Sequence, residues 1–132
     1  MPPIIPTKIA IEKDEGPLTI EITSGFTSLG SYVLGFIRKG DPGFVEFGQD
    51  PKRIDDDVQD IHLIPIDAAA LKDHFISVIG KYSPAPGKRQ IAVQYDFVQN
   101  KKVVHSEAIE ENLPEDQEFI RTNHLYTFTE VQ

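Results

Sequence analysis

The chain has 132 residues and not one cysteine. Disulfides, thiolate nucleophiles, Cys-ligated zinc and iron–sulfur clusters are therefore excluded, and the composition fits a reducing compartment. Tryptophan is also absent, which removes the largest flat aromatic surface that a sugar ring would stack on. Positive charge is scarce: 13 Lys and Arg stand against 21 Asp and Glu, for a net charge of −8. Nucleic acid needs a basic face for its phosphates, so this balance disfavours it as a partner, and anionic membranes with it. The Lys88-Arg89 and Lys101-Lys102 pairs adjoin turn signals and read as solvated turn charges.

Long hydrophobic runs are missing too. No segment reaches the roughly 18 apolar residues of a membrane helix, so no transmembrane segment is expected. The start, Met1-Pro2-Pro3-Ile4-Ile5-Pro6, has neither the basic opening nor the apolar stretch of a signal peptide. A soluble, cytoplasmic protein is the expectation. The glycine-rich loops of dinucleotide and nucleoside triphosphate sites, the nucleophile elbow of α/β-hydrolases and the paired-histidine metal motifs do not occur either.

What the chain does have is alternation. Leu18, Ile20 and Ile22 alternate with Thr19, Glu21 and Thr23, and Ile91, Val93, Tyr95 and Phe97 with Ala92, Gln94 and Asp96. Successive side chains of a strand face opposite ways, so each run is a strip with one apolar side, and a second sheet is the usual cover for it. Turn signals cut the chain at Asp14-Glu15-Gly16-Pro17, Lys39-Gly40-Asp41-Pro42-Gly43, Ser83-Pro84-Ala85-Pro86-Gly87 and Asn100-Lys101. Ile9 and Ile11 begin the first strand, which either pairs with the run at Leu18 or diverges from it into the other sheet. Gly35, inside the apolar run Tyr32–Ile37, marks a bulge or a close backbone approach.

The segment 67–82 carries two signals. Ala68-Ala69-Ala70-Leu71 favours helix, whereas Phe75, Ile76, Val78 and Ile79 are aromatic or β-branched and favour strand. A helical turn at 67–72 followed by a strand at 74–82 reconciles them. The expectation is an all-β, mainly antiparallel, single-domain β-sandwich of eight or nine strands over residues 1–132, with 1–7 loosely held. A small β-barrel is the alternative, or an α+β fold if 67–80 is helical throughout.

The densest polar group is Asp50, Asp55, Asp56, Asp57 and Asp60. Carboxylates gathered on one loop suit Ca²⁺, which takes several oxygen ligands, although the EF-hand spacing is absent and Lys52 and Arg53 lie inside the cluster. Glu107, Glu110, Glu111, Glu115, Asp116 and Glu118 lack compact spacing and read as a solvated face. The histidines, His62, His74, His105 and His124, are isolated in sequence, with His74 and His105 flanking strand patterns. Phe26, Phe44, Phe47 and Tyr82 border loops, where an exposed ring can anchor a partner.

Three functions follow. The leading one is a non-enzymatic binding or assembly module, working through end loops or an exposed sheet edge, with a protein partner or self-association and no cofactor. The second is a Ca²⁺-dependent ligand- or membrane-binding module using the 50–60 loop. The third is a small histidine-dependent enzyme, which requires two histidines, or a histidine and an acid, within hydrogen-bond reach.

Overall fold

A computed structural model describes residues 5–24, 28–49, 59–84 and 87–131. The aspartates at 50 and 55–57, Phe26 and residues 1–4 lie outside them. Nine strands form among the described residues: β1 (Thr7–Ile11), β2 (Leu18–Ser24), β3 (Ser28–Arg38), β4 (Phe44–Gln49), β5 (Asp60–Leu63), β6 (His74–Pro84), β7 (Gln90–Gln99), β8 (Lys102–Asn112) and β9 (Ile120–Glu130). A 3-10 turn, Ala68–Asp73, precedes β6. The strands make two sheets, ordered β1-β9-β6-β3-β4 and β5-β2-β7-β8, which pack as a sandwich and do not close into a barrel. Among the described residues no helix is long and apolar enough to cross a membrane.

The alternating runs explain the layers. Ile20 pairs with Phe97 and Ile22 with Tyr95, so one face of β2 and β7 is continuous and apolar. Across from it, Leu34 pairs with Val78 and Phe36 with Ile76, and Ile76 pairs with Tyr126 of β9. Ile20, Ile22, Leu34, Ile76, Val78, Tyr95, Phe97 and Tyr126 are all buried between the sheets. The ambiguous segment resolves as the split reading has it. Buried Ala68 and Leu71 hold the short turn, and His74–Pro84 continues as the central strand of its sheet. A β-branched run between two strands packs better than it would in an isolated helix, and this decides the matter.

Three local devices fix the path. Asn100 and Lys101 both adopt positive φ, 49° and 63°, the primed turn that matches the twist of a β7–β8 hairpin. At Gly35 the β3–β4 register shifts, and a Cβ there would lie 2.1 Å from the Phe44 ring, so bulge and close approach coincide. Third, β1 and β2 diverge: β1 joins β9 in the five-stranded sheet and runs parallel to it, while β2 joins the other sheet. The buried Gln99 amide holds this crossing. Its Oε1 accepts from the Glu12 N–H at 3.0 Å, and its Nε2 donates to the carbonyls of Glu12 and Gly16 at 2.5 and 3.0 Å.

Replacing Gln99 by Ala strands these backbone groups in a part-buried corner. Buried polar groups left without partners cost about 1–3 kcal/mol each. Urea denaturation of Gln99→Ala should show a loss of about 2–4 kcal/mol; an unchanged midpoint would mean that the crossing is held elsewhere.

Candidate functional site

Polar side chains enter the sandwich along the flank where β8 faces β9. His105, Glu107 and Ile109 pair with Phe97, Tyr95 and Val93 on the buried face of β7. They therefore share the inward face of β8. On β9, Thr122, His124 and Tyr126 pair with Gly80, Val78 and Ile76 and look inward from the other sheet. The two sets meet at Glu107. The Tyr126 hydroxyl donates to Glu107 Oε1 at 3.1 Å. His105 Nε2 lies 3.8 Å and His124 Nδ1 3.9 Å from the same oxygen. His105 Nε2 is buried and has no hydrogen-bond partner among the described residues.

Aromatic rings pack this set. Tyr126 crosses Phe97 edge to face, with centroids 4.6 Å apart, and His105 meets both rings. Deeper in, the Tyr82 and Tyr95 hydroxyls hydrogen-bond each other at 2.5 Å, with the buried Thr122 hydroxyl beside them. Burial raises the pKa of Tyr95 above the ordinary phenol value. The Tyr126 hydroxyl is pushed up much further, first by burial and then by the charge of Glu107 and the hydrogen bond to it.

A cleft opens beside the cluster. It has a volume of about 800 Å³ and is walled by β8 residues from Ala108 to Asn112 and by β9 residues from Ile120 to His124, with Leu113, Pro114 and Gln117 at one end. Arg89 fixes that end: its Nε donates to the Leu113 carbonyl at 3.1 Å, and one terminal nitrogen donates to the carbonyls of Pro114 and Gln117. The backbone of β9 also lies open here. β1 pairs only with Tyr126–Glu130, whereas β6 pairs with Ile120–Tyr126. On the side away from β6, the stretch Ile120–Leu125 has no neighbouring strand among the described residues.

The residues singled out from sequence fall elsewhere or only partly here. Of the five aspartates, only Asp60 is described, on the opposite flank. The Tyr32 hydroxyl donates to its Oδ2 at 3.1 Å and lies 2.7 Å from His62 Nε2. Among the described residues, no group of three or more His, Asp or Glu is placed to hold a metal ion. His74 is remote from His105; its Nδ1 hydrogen-bonds the Ala70 carbonyl at 2.9 Å. Of the aromatics near loops, Tyr82 is core, Phe47 is half-buried on Phe36 and Phe44 is exposed. Glu107, read from sequence as one of a solvated acidic group, instead stands at the centre of the cluster. The signal was present in the alternation His105, Glu107, Ile109, which continues the apolar parity of β8.

The buried tyrosines tie stability to alkaline pH. In the unfolded chain, tyrosines ionise near pH 10, while Tyr95 and Tyr126 keep their protons in the fold. Above about pH 10 the unfolded state has lost protons that the native state retains. Stability is thus complete below that pH and falls as pH rises, by up to ~1.4 kcal/mol per pH unit for each tyrosine. Urea unfolding at several alkaline pH values should show this slope, and Tyr126→Phe should flatten it; equal slopes in both proteins would contradict the assignment.

No protein-family model, curated protein or solved structure matches the chain, so the flank between β8 and β9 is read from its own chemistry.

Proposed function

We propose that the protein is a non-enzymatic binding module that takes an extended peptide segment of a partner protein along the open stretch of β9. The observation that carries this reading is the edge Ile120–Leu125, which has no neighbouring strand among the described residues and lies against a cleft. A strand has main-chain donors and acceptors on both sides. Where one side lacks a neighbour, an added strand gains a ladder of hydrogen bonds, and its alternate side chains enter the adjoining space. Just before β1, Pro6 lacks the N–H that a ladder needs, and Ile5 is exposed.

The cleft also selects its occupant by charge. Glu110 and Glu111 lie on the β8 wall, Glu107 stands behind it, 3.9 Å from His124, which lines the cleft, and Arg121 is the one Lys or Arg among the lining residues. An incoming strand with Lys or Arg at the inward positions places an ammonium or guanidinium near these carboxylates. The acid–base reading gains less from the same geometry. Both histidines stand beyond hydrogen-bond reach of Glu107, and the Tyr126 hydroxyl already occupies the oxygen they approach. The calcium reading turns on aspartates that lie almost entirely outside the described residues.

The test is a short, acetylated and amidated peptide of alternating valine and lysine, followed by amide hydrogen exchange and ¹⁵N shifts. Exchange should slow at Ile120–Leu125, and Glu107→Gln should weaken binding about tenfold, the equivalent of one charge-assisted contact. The same peptide with glutamate in place of lysine should not bind. Unchanged amides at 120–125 under saturating peptide would overturn the proposal.

A further inference from the structure

The outer face of the five-stranded sheet carries two adjacent cations that no described carboxylate neutralises. Ser31 of β3 pairs with Lys81 of β6, and Lys81 pairs with Arg121 of β9. The three therefore stand abreast in one row. Their neighbours in sequence, Tyr32 and Tyr82, are buried in the core, so this row faces outward. Like charges directly opposite on neighbouring strands repel. Here both lean on one ring: Lys81 Nζ is 4.3 Å and Arg121 Cζ 5.5 Å from the centroid of Phe119. Neither cation makes an ion pair among the described residues.

Beside the row is a recess of about 480 Å³, lined by Ser31, Val33, Gln49, Ile79, Lys81 and Arg121 among others. Ile79 is 44% exposed, and it stands in the next row of the sheet, opposite Val33. The recess thus has a cationic end with a hydroxyl and an apolar floor. The molecule as a whole is strongly acidic, at −8, so this pair is a local inversion of its field.

We infer that the recess binds a small amphiphilic oxyanion, with its phosphate or carboxylate against Lys81, Arg121 and the Ser31 hydroxyl, and its aliphatic part against Val33 and Ile79. The anion removes the cross-strand repulsion, and a guanidinium beside an ammonium supplies both a planar fork and a point charge for its oxygens. Phe119 holds the two cations side by side before the anion arrives. The site lies on the opposite face of the sheet from the Glu107 cluster and is independent of the peptide reading. Lys81 and Ser31 line this recess and not the cleft between β8 and β9, whereas Arg121 lines both.

Hexyl phosphate, hexanoate, inorganic phosphate and hexanol serve as probes in ¹H–¹⁵N shift titrations of the full chain. Hexyl phosphate, hexanoate or both should give saturable shifts centred on Ser31, Val33, Ile79, Lys81 and Arg121. Which of them binds more tightly identifies the headgroup. Inorganic phosphate and hexanol should each bind at least about tenfold more weakly than the better amphiphile. Lys81→Gln, with an otherwise unchanged spectrum, should weaken the better amphiphile about tenfold, and Lys81→Arg should restore most of that loss. Absence of saturable shifts with either amphiphile overturns the inference. So does equal binding by Lys81→Gln, or equal binding of hexanol. If inorganic phosphate binds as tightly as hexyl phosphate, the apolar half of the site is wrong.

Discussion

The molecule turns on where the chain leaves one sheet for the other. β1 ends at Ile11 and β2 begins at Leu18, and the Gln99 amide bonds to backbone groups at both ends of the link. Because Gln99 belongs to β7, the end of one sheet's central strand fixes the position of the other sheet's edge strand. β1 is then committed to the last residues of β9, where the Val131 N–H also donates to the Ile11 carbonyl at 2.8 Å. Five residues of β1 cannot cover eleven of β9. The stretch of β9 that no described strand covers, and the cleft beside it, follow from that mismatch in length.

Tyrosine does in this core what the missing tryptophan cannot. All four tyrosines, Tyr32, Tyr82, Tyr95 and Tyr126, are buried, and each hydroxyl meets a polar partner. A tyrosine supplies a large apolar body and one polar tip, so it can line the boundary between a dry core and a polar flank. The tips fall at both sides of the sandwich. Tyr32 meets Asp60 and His62 on the side of β5, and Tyr126 meets Glu107 on the side of β8. Carboxylates and imidazoles can therefore point inward at the edge strands, a device that also discourages those edges from pairing indiscriminately.

The fold was legible where alternation was strict. The Leu18–Ile22 and Ile91–Phe97 runs become β2 and β7, and the residues that alternation marks as apolar are the buried ones. The split of 67–82 into a turn and a strand was also legible, because β-branched residues at Ile76, Val78 and Ile79 outweigh a short alanine run. Whether β1 pairs with β2 was not legible: both strands alternate equally well, and the deciding group, Gln99, lies more than eighty residues away in sequence. The candidate site was harder still. Glu107 and His124 are 17 positions apart, on strands of different sheets. No spacing rule joins them; only the parity of His105, Glu107 and Ile109 hinted that a carboxylate faces inward.

β9 places these opposite chemistries close together. Its even-numbered residues from Thr122 to Tyr126 face the acidic cluster, while Arg121 faces the cationic recess. Since a strand alternates faces at every residue, one short stretch presents an environment of each sign on either side of a single layer of backbone. A ligand held on one face therefore contacts the same main chain as a ligand held on the other. Arg121 is the one residue common to the linings of the recess and of the cleft.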